Sequence, residues 1–350
     1  MEWTDIFGTF RWGTAKQADM LTMIPLLSAA VDDDDEAIEG GSCVVLDDAE
    51  AGGLVEAHEL DAGAQVPRIA VEVRGEKPLL LREGEILRGA KQNRAIDLTL
   101  LLPPGKYEVP VSCVEARRWH VDASEPLSGH FKSSGAALDS SLRRHKMHRT
   151  LETLRSAGPL HSDQGATWAA VRRKLEKLEA ILGTEDYLAA VEKERDRVLA
   201  AMDSLSPEPG QAGAIFCRNG EVLGLEIVDS PATWSRVWRK VAQTYISESL
   251  EDSRLAGMHP AARAADERED REAGMTKRRR MPTVLFNQVV RQGAWVETPS
   301  PVGVGTHVTS ADGLVGGFAL LGDDVCWHAF LYPAVGEDGV PAAMRGGMAG

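Results

Sequence analysis

Short apolar runs bounded by turn residues, none longer than a strand, fill residues 41–115, and they narrow the folds open to this chain more than any other feature. Ser42-Cys-Val-Val-Leu46, Ile69-Ala-Val-Glu-Val73, Leu79-Leu-Leu81 and Leu98-Thr-Leu-Leu-Leu102 read as strands, and Leu54–Leu60 alternates in part. Arg74-Gly-Glu-Lys-Pro78 reads as the turn joining the second and third of these. Pro103-Pro-Gly105 reads as the turn of a further hairpin, from Leu98–Leu102 into Tyr107–Val114, with Pro110 placing the latter at an edge or a bulge.

Helical spacing comes later in the chain. Residues 116–165 are polar and irregular, with helices expected near Ala137–His148 and Arg149–Leu154. Trp168, Val171, Leu175, Leu178 and Leu182 recur at spacings of three and four, and Leu188, Val191, Val198 and Met202 continue the pattern, with Thr184 expected to cap the second helix. The charges Arg172, Arg173, Lys174 and Lys177 read as a solvated helix face. Asn219-Gly220 between apolar runs is a hairpin signal. Ser230-Pro231 opens a helix whose apolar residues are Trp234, Val237, Trp238, Val241, Tyr245 and Ile246.

Strands and helices are therefore grouped without βαβ alternation, which points to an α+β fold: a mainly antiparallel sheet covered by helices in a single compact domain. The expected organisation is a domain over residues 1–332. It comprises a β-rich block (41–115), a helical block (137–204), a hairpin and helix (212–250) and a final hairpin (313–332), with a charged insertion at 251–282 and a flexible tail at 333–350.

Composition removes several function classes. Lysine and arginine total 39 against 53 aspartates and glutamates, a net charge of −14 that opposes nucleic-acid and anionic-membrane partners. The single basic cluster Lys277–Arg280 gives little electrostatic footprint against that background. The acidic tract Asp32–Glu36 lacks the glycine and spacing of a calcium loop. An acidic start and the lack of a long apolar stretch lead to the expectation of a cytoplasmic protein without a signal peptide or membrane span. Cys43, Cys113, Cys217 and Cys326 are scattered, each in a β-like run, and read as reduced core thiols; no zinc pairing is present and no metal is expected. Cofactor use is left open.

Chemistry concentrates in Arg82-Glu-Gly-Glu-Ile-Leu-Arg-Gly-Ala-Lys-Gln-Asn-Arg94, a polar turn between strands. Lys91 and Arg94 suit a phosphate or carboxylate, an arginine fork being made for bidentate contacts. Gln92 and Asn93 can read a base, ribose or amide, and Glu85 can act as a general base or a metal ligand. In Val109-Pro-Val-Ser-Cys-Val-Glu-Ala-Arg-Arg-Trp119, alternation turns Ser112 and Val114 to one face and Val111, Cys113 and Glu115 to the other. Glu115 is a second acid–base candidate with Arg117 or Arg118 as partner, and Trp119 either covers a ligand ring or closes the core. Cys113 as a nucleophile would need a histidine such as His130 or His328 beside it. Against these stands the plainer reading of a polar loop whose charges pair among themselves.

These two segments together resemble the ADP-ribosylglycohydrolase- and rhodanese-phosphatase-associated protein domain, as do Gln164-x-x-x-Trp168 and the Asn219-Gly-x-x-x-Gly-Leu225 hairpin. The similarity spans roughly residues 20–332 and leaves out the 251–282 insertion. It implies a setting in NAD or ADP-ribose metabolism, with ADP-ribose-handling enzymes as partners, but no agreed mechanism. The expectation is then one site built from both segments, with Lys91, Gln92, Asn93, Arg94, Arg118 and Trp119 holding a phosphorylated nucleotide-like molecule. The alternative is a non-catalytic interaction module presenting Trp234, Trp238 and Tyr245.

Overall fold

The computed structural model describes residues 9–28, 41–60, 65–119, 129–156, 163–181, 183–257, 283–311 and 313–334. Asp32–Glu36, Lys277–Arg280 and nearly all of the expected tail lie outside the described residues, as does the expected insertion beyond Gly257.

The strands of the 41–115 block divide between two structures. β5 (Val55–His58), β6 (Arg68–Val73), β8 (Glu85–Gly89), β9 (Arg94–Ile96), β11 (Gly105–Cys113) and β12 (His130–Ala137) form a closed barrel in the order β11-β6-β5-β12-β8-β9. A barrel this small is filled by side chains, and Ile69, Val71, Leu87, Ile96, Val111 and Phe131 share one apolar cluster. The all-leucine strands β7 (Leu79–Leu81) and β10 (Leu100–Leu102) are buried throughout and lie outside the barrel. They pair with each other, and β7 also pairs in parallel with β4 (Val44–Val45). Neither expected hairpin forms: β6 pairs with β11 and β5, and β10 pairs with β7. Pro110 sits where β11 finishes pairing with β6 and Val111 begins pairing with β9, a position that tolerates the missing N–H.

A nine-stranded antiparallel sheet lies beside the barrel. Its path runs β1 (Phe10–Trp12), β3 (Leu21–Ser28), β13 (Gln211–Arg218), β14 (Glu221–Val228), β18 (Cys326–Pro333), β17 (Val315–Leu321), β16 (Thr306–Ser310) and β15 (Trp295–Pro299), with β2 (Lys16–Ala18) paired to β3. Asn219 and Gly220 take φ values of 52° and 79° and turn β13 into β14. Ser230 accepts from the Thr233 N–H at the start of α5 (Pro231–Gly257). The apolar side of α5 covers one face of the sheet: Trp234, Val237, Trp238, Val241 and Tyr245 are buried there, Tyr245 stacking on Phe216 at 4.0 Å. These aromatics are core, so they present no docking surface. α6 (Thr283–Gln292) covers the opposite face with Phe286 and Val290.

The remaining helices clothe the outside of the barrel. α1 (Leu46–Ala51) follows β4, while α2 (Ser140–Arg155), α3 (Gln164–Lys177) and α4 (Tyr187–Met202) bring Leu142, Val171, Leu175 and Ala190 against Ile86, Ala95 and Val114. α2 is one continuous helix where two were expected. α4 is capped by Asp186, whose carboxylate accepts from the Leu188 N–H, and not by Thr184. Lys174 is buried, 3.5 Å from Asp139 and 3.4 Å from Glu194, so the α3 charges are not all solvated. No helix among the described residues is long and apolar enough to cross a membrane.

Candidate functional site

The polar run is less a loop than a strand pair, because Glu85–Gly89 and Arg94–Ile96 are β8 and β9 with a turn at 90–93 between them. The turn is tight and strained: Ala90 adopts φ 45°, which a residue with a Cβ rarely takes. Gly89, at φ 131°, lies so close to β12 that a Cβ would sit 2.4 Å from the His130 carbonyl oxygen.

Segment 110–119 locks this turn. Arg118 donates from Nε to Glu115 Oε1 (2.9 Å), from Nη2 to Glu115 Oε2 (2.7 Å) and from Nη1 to the Ala90 carbonyl (2.6 Å). Glu115 Oε2 also accepts the Asn93 N–H, and its carbonyl accepts from Gln92 Nε2. Asn93 accepts from the Gly89 N–H and donates to Asp186 Oδ2, tying the turn to the start of α4. The two sequence segments do converge. Yet Gln92, Asn93, Glu115 and Arg118 spend their hydrogen bonds on one another, so they position the turn and are not free to hold a ligand. Arg117 points elsewhere, to Glu185.

Arg94 differs from these neighbours. Its side chain is wholly buried at the barrel's end, yet only Nη1 is hydrogen-bonded, to Gln92 Oε1 (3.2 Å) and Cys113 Sγ (2.8 Å). Nε and Nη2 are buried without a hydrogen-bond partner. These two nitrogens share one edge of the guanidinium, the edge that grips an oxyanion bidentately. Glu59 Oε1 is 3.8 Å from Nη2 and accepts the Lys91 N–H, while Glu59 Oε2 is also buried without a partner. The Arg94 guanidinium faces the Phe131 ring at 6.0 Å and the Trp119 ring at 5.7 Å. The Lys91 ammonium lies 5.4 Å from that same Trp119 ring, which is 46% exposed. Arg94, Lys91, Trp119 and Glu59 thus form the part of the predicted surface whose polar capacity is unspent. Sequence reading did not single out Glu59; it is a solitary glutamate just past β5, and only barrel closure brings it to Arg94.

Glu85 and Cys113 do not fit the chemistry expected of them. Glu85 accepts from the Arg82 N–H (3.0 Å), from Arg82 Nη2 (3.1 Å) and from Lys240 Nζ on α5 (3.1 Å). Burial pushes its carboxyl up, but Lys240 and Arg82 outweigh that and hold it at about 2, too low for a base at neutral pH. Burial raises the Cys113 thiol to about 11 despite the adjacent Arg94, so it is not an activated nucleophile. Neither expected histidine partner serves it: His328 is bonded to Thr99 and Glu226, and His130 is paired with Glu56. Gln164 instead clamps its backbone, accepting the Cys113 N–H and donating to the Cys113 carbonyl, both at 2.8 Å.

A second polar set joins the barrel to the large sheet. Arg143 of α2 donates to Glu83 (2.8 Å) and to Glu226, and lies 3.8 Å from the Phe330 ring centre. Glu226 accepts from His328 Nε2 (2.9 Å), whose Nδ1 then accepts the Thr99 hydroxyl (2.8 Å). The order hydroxyl–imidazole–carboxylate resembles a hydrolytic triad. However, all three side chains are fully buried and the Thr99 oxygen already accepts the Glu83 N–H, so the set is a structural tie. Burial drives Glu226 up, but Arg143 and His328 hold it at about 2. Glu83 is left the carboxyl with the raised pKa, burial outweighing Arg143 and Lys146. No group of three histidines, cysteines or carboxylates among the described residues is placed to hold a metal ion.

A family model described as the ARG and Rhodanese-Phosphatase-superfamily-associated Protein domain matches residues 9–332. No curated protein and no solved structure matches the chain.

Proposed function

The chain belongs to that family, and on this premise we propose that its barrel end binds a small phosphorylated, nucleotide-like molecule, with Arg94 gripping the oxyanion. The observation that carries the reading is the unspent Nε–Nη2 edge of a fully buried arginine. A buried donor without a partner costs about 1–3 kcal/mol, and an oxyanion accepting from both Nε and Nη2 would remove that cost. Lys91 supplies a second positive charge at the rim and Trp119 an aromatic face for a ring. Because Arg94 is covered, entry displaces the half-exposed Trp119 side chain. The family's name links it with ARG, read here as ADP-ribosylglycohydrolase, which favours ADP-ribose, NAD and ribose phosphates as first ligands to try.

Calorimetry of the whole chain with NAD, ADP-ribose and ribose 5-phosphate tests the reading. Saturable binding is expected for at least one, weakened tenfold or more in Lys91→Ala and in Arg94→Met, which removes ~1.4 kcal/mol or more. Absence of binding by the natural chain, or equal affinity in both variants, refutes it.

A further inference from the structure

We infer that the ligand completing this site carries a hydroxyl beside its oxyanion, and so is a sugar or polyol phosphate; this rests on the reading of Arg94 as the anion's fork. The unsatisfied atoms are of both kinds. Arg94 offers two donors on one edge, and next to it Glu59 Oε2 is a buried acceptor with nothing donating to it. The other oxygen of that carboxylate is occupied by the Lys91 N–H at 3.3 Å, which fixes Glu59 in place beside Arg94. A bare oxyanion would satisfy the guanidinium while setting its own negative charge against Glu59. A ligand hydroxyl that donates to Oε2 while the neighbouring phosphate accepts from Nε and Nη2 satisfies all three atoms.

An ammonium group could also donate to Glu59, as in an amino acid. Local charge disfavours it. The turn as a whole is balanced, with Lys91, Arg94 and Arg118 set against Glu59, Glu115 and Asp186. An ammonium would stand beside the Arg94 guanidinium and Lys91, two like charges against one carboxylate, whereas a hydroxyl donates to Oε2 without adding a charge.

The test is calorimetry of the full chain and its Glu59→Ala variant with ribose 5-phosphate, methyl phosphate, inorganic phosphate and serine. The natural chain should bind ribose 5-phosphate about tenfold or more tightly than methyl phosphate, the scale of one hydrogen bond to a charged acceptor. Glu59→Ala should bind methyl phosphate more tightly than the natural chain does, because a repelling carboxylate is gone, and should lose the preference for the sugar. Equal affinities in the natural chain, a preference that survives in Glu59→Ala, or serine binding more tightly than ribose 5-phosphate overturns the inference. If none of the phosphates binds, the reading of Arg94 itself has failed. Binding of all phosphates alike rejects only the hydroxyl.

Discussion

Replacing Arg94 by methionine separates a residue kept for binding from one kept for folding. Methionine has similar length and can fill the space among Phe131, Cys113 and Trp119 without polar atoms. Two unpartnered buried donors disappear, a relief of ~2–6 kcal/mol at the usual ~1–3 kcal/mol each. Against this, the Nη1 bonds to Gln92 Oε1 and to the weak acceptor Cys113 Sγ are lost and the amide oxygen is left alone, together ~2–4 kcal/mol. The 3.8 Å contact with Glu59 is long, and Glu59 Oε1 keeps the Lys91 N–H. The balance is centred on a gain of ~1 kcal/mol, within a range from a loss of ~2 to a gain of ~4, where removing one partner of a satisfied buried ion pair would lose ~3–5 kcal/mol. Equilibrium urea denaturation measures it, read as a midpoint at or above that of the natural chain with unchanged m. A loss of ~3 kcal/mol or more would show that Arg94 is a structural ion after all, and the proposed site would lose its main support.

Other perturbations follow from the same geometry. Arg143→Met removes the charge shared by Glu83 and Glu226 and should cost ~3–5 kcal/mol in the same denaturation assay, opposite in sense to Arg94→Met. Burial lowers His307 to about 4 against an ordinary 6.5. Its neutral form therefore stabilises the fold fully above pH 6.5, and ~3 kcal/mol is lost as the pH falls towards 4. His307→Gln should flatten that part of the stability–pH curve; a slope unchanged between pH 6.5 and 4 would contradict the shift. His328, also lowered, contributes in the same sense, while the Glu226 contribution is lost only below about 4.5, as the pH falls towards 2. Iodoacetamide should leave Cys113 unlabelled in the folded chain below pH ~9, since its thiol is buried and titrates near 11; rapid labelling at pH 7 would contradict this.

How far the fold could be read from the chain varied with the distance over which each signal acts. Local signals were legible: Asn219-Gly220 made its hairpin, Ser230-Pro231 opened α5, and the Trp234–Tyr245 face turned inward. Pairing between distant strands was not, since an apolar run does not name its partner. Leu79–Leu81 seemed the natural mate of Ile69–Val73, yet barrel closure gave the latter to β5 and β11. β12 carries no strand signal of its own, because His130-Phe-Lys-Ser-Ser-Gly-Ala-Ala137 is poor in β-branched residues and is held as a strand by β5 and β8 on its flanks. At the site, sequence density located the Glu83–Arg94 and 110–119 segments, and the two do touch. What density could not convey was which polar atoms would consume one another: Arg118 and Asn93 look as available on paper as Arg94. That distinction depends on hydrogen-bond partners contributed from Gly89, Ala90 and Asp186.

The interleaving of the two sheets has a consequence for synthesis. All six barrel strands come from residues 55–137, so the barrel can assemble as soon as that stretch has left the ribosome. The large sheet cannot. β3, made early, has its inner neighbour in β13, and β14 must await β18 near the end of the described chain. Until β13 is made, β3 has only the short strands β1 and β2 beside it, and Glu226 lacks His328 until β18 follows. The nascent protein therefore passes through a state with a barrel still lacking its helical cover and an open sheet edge, in which association with a second chain or capture by a chaperone competes with folding.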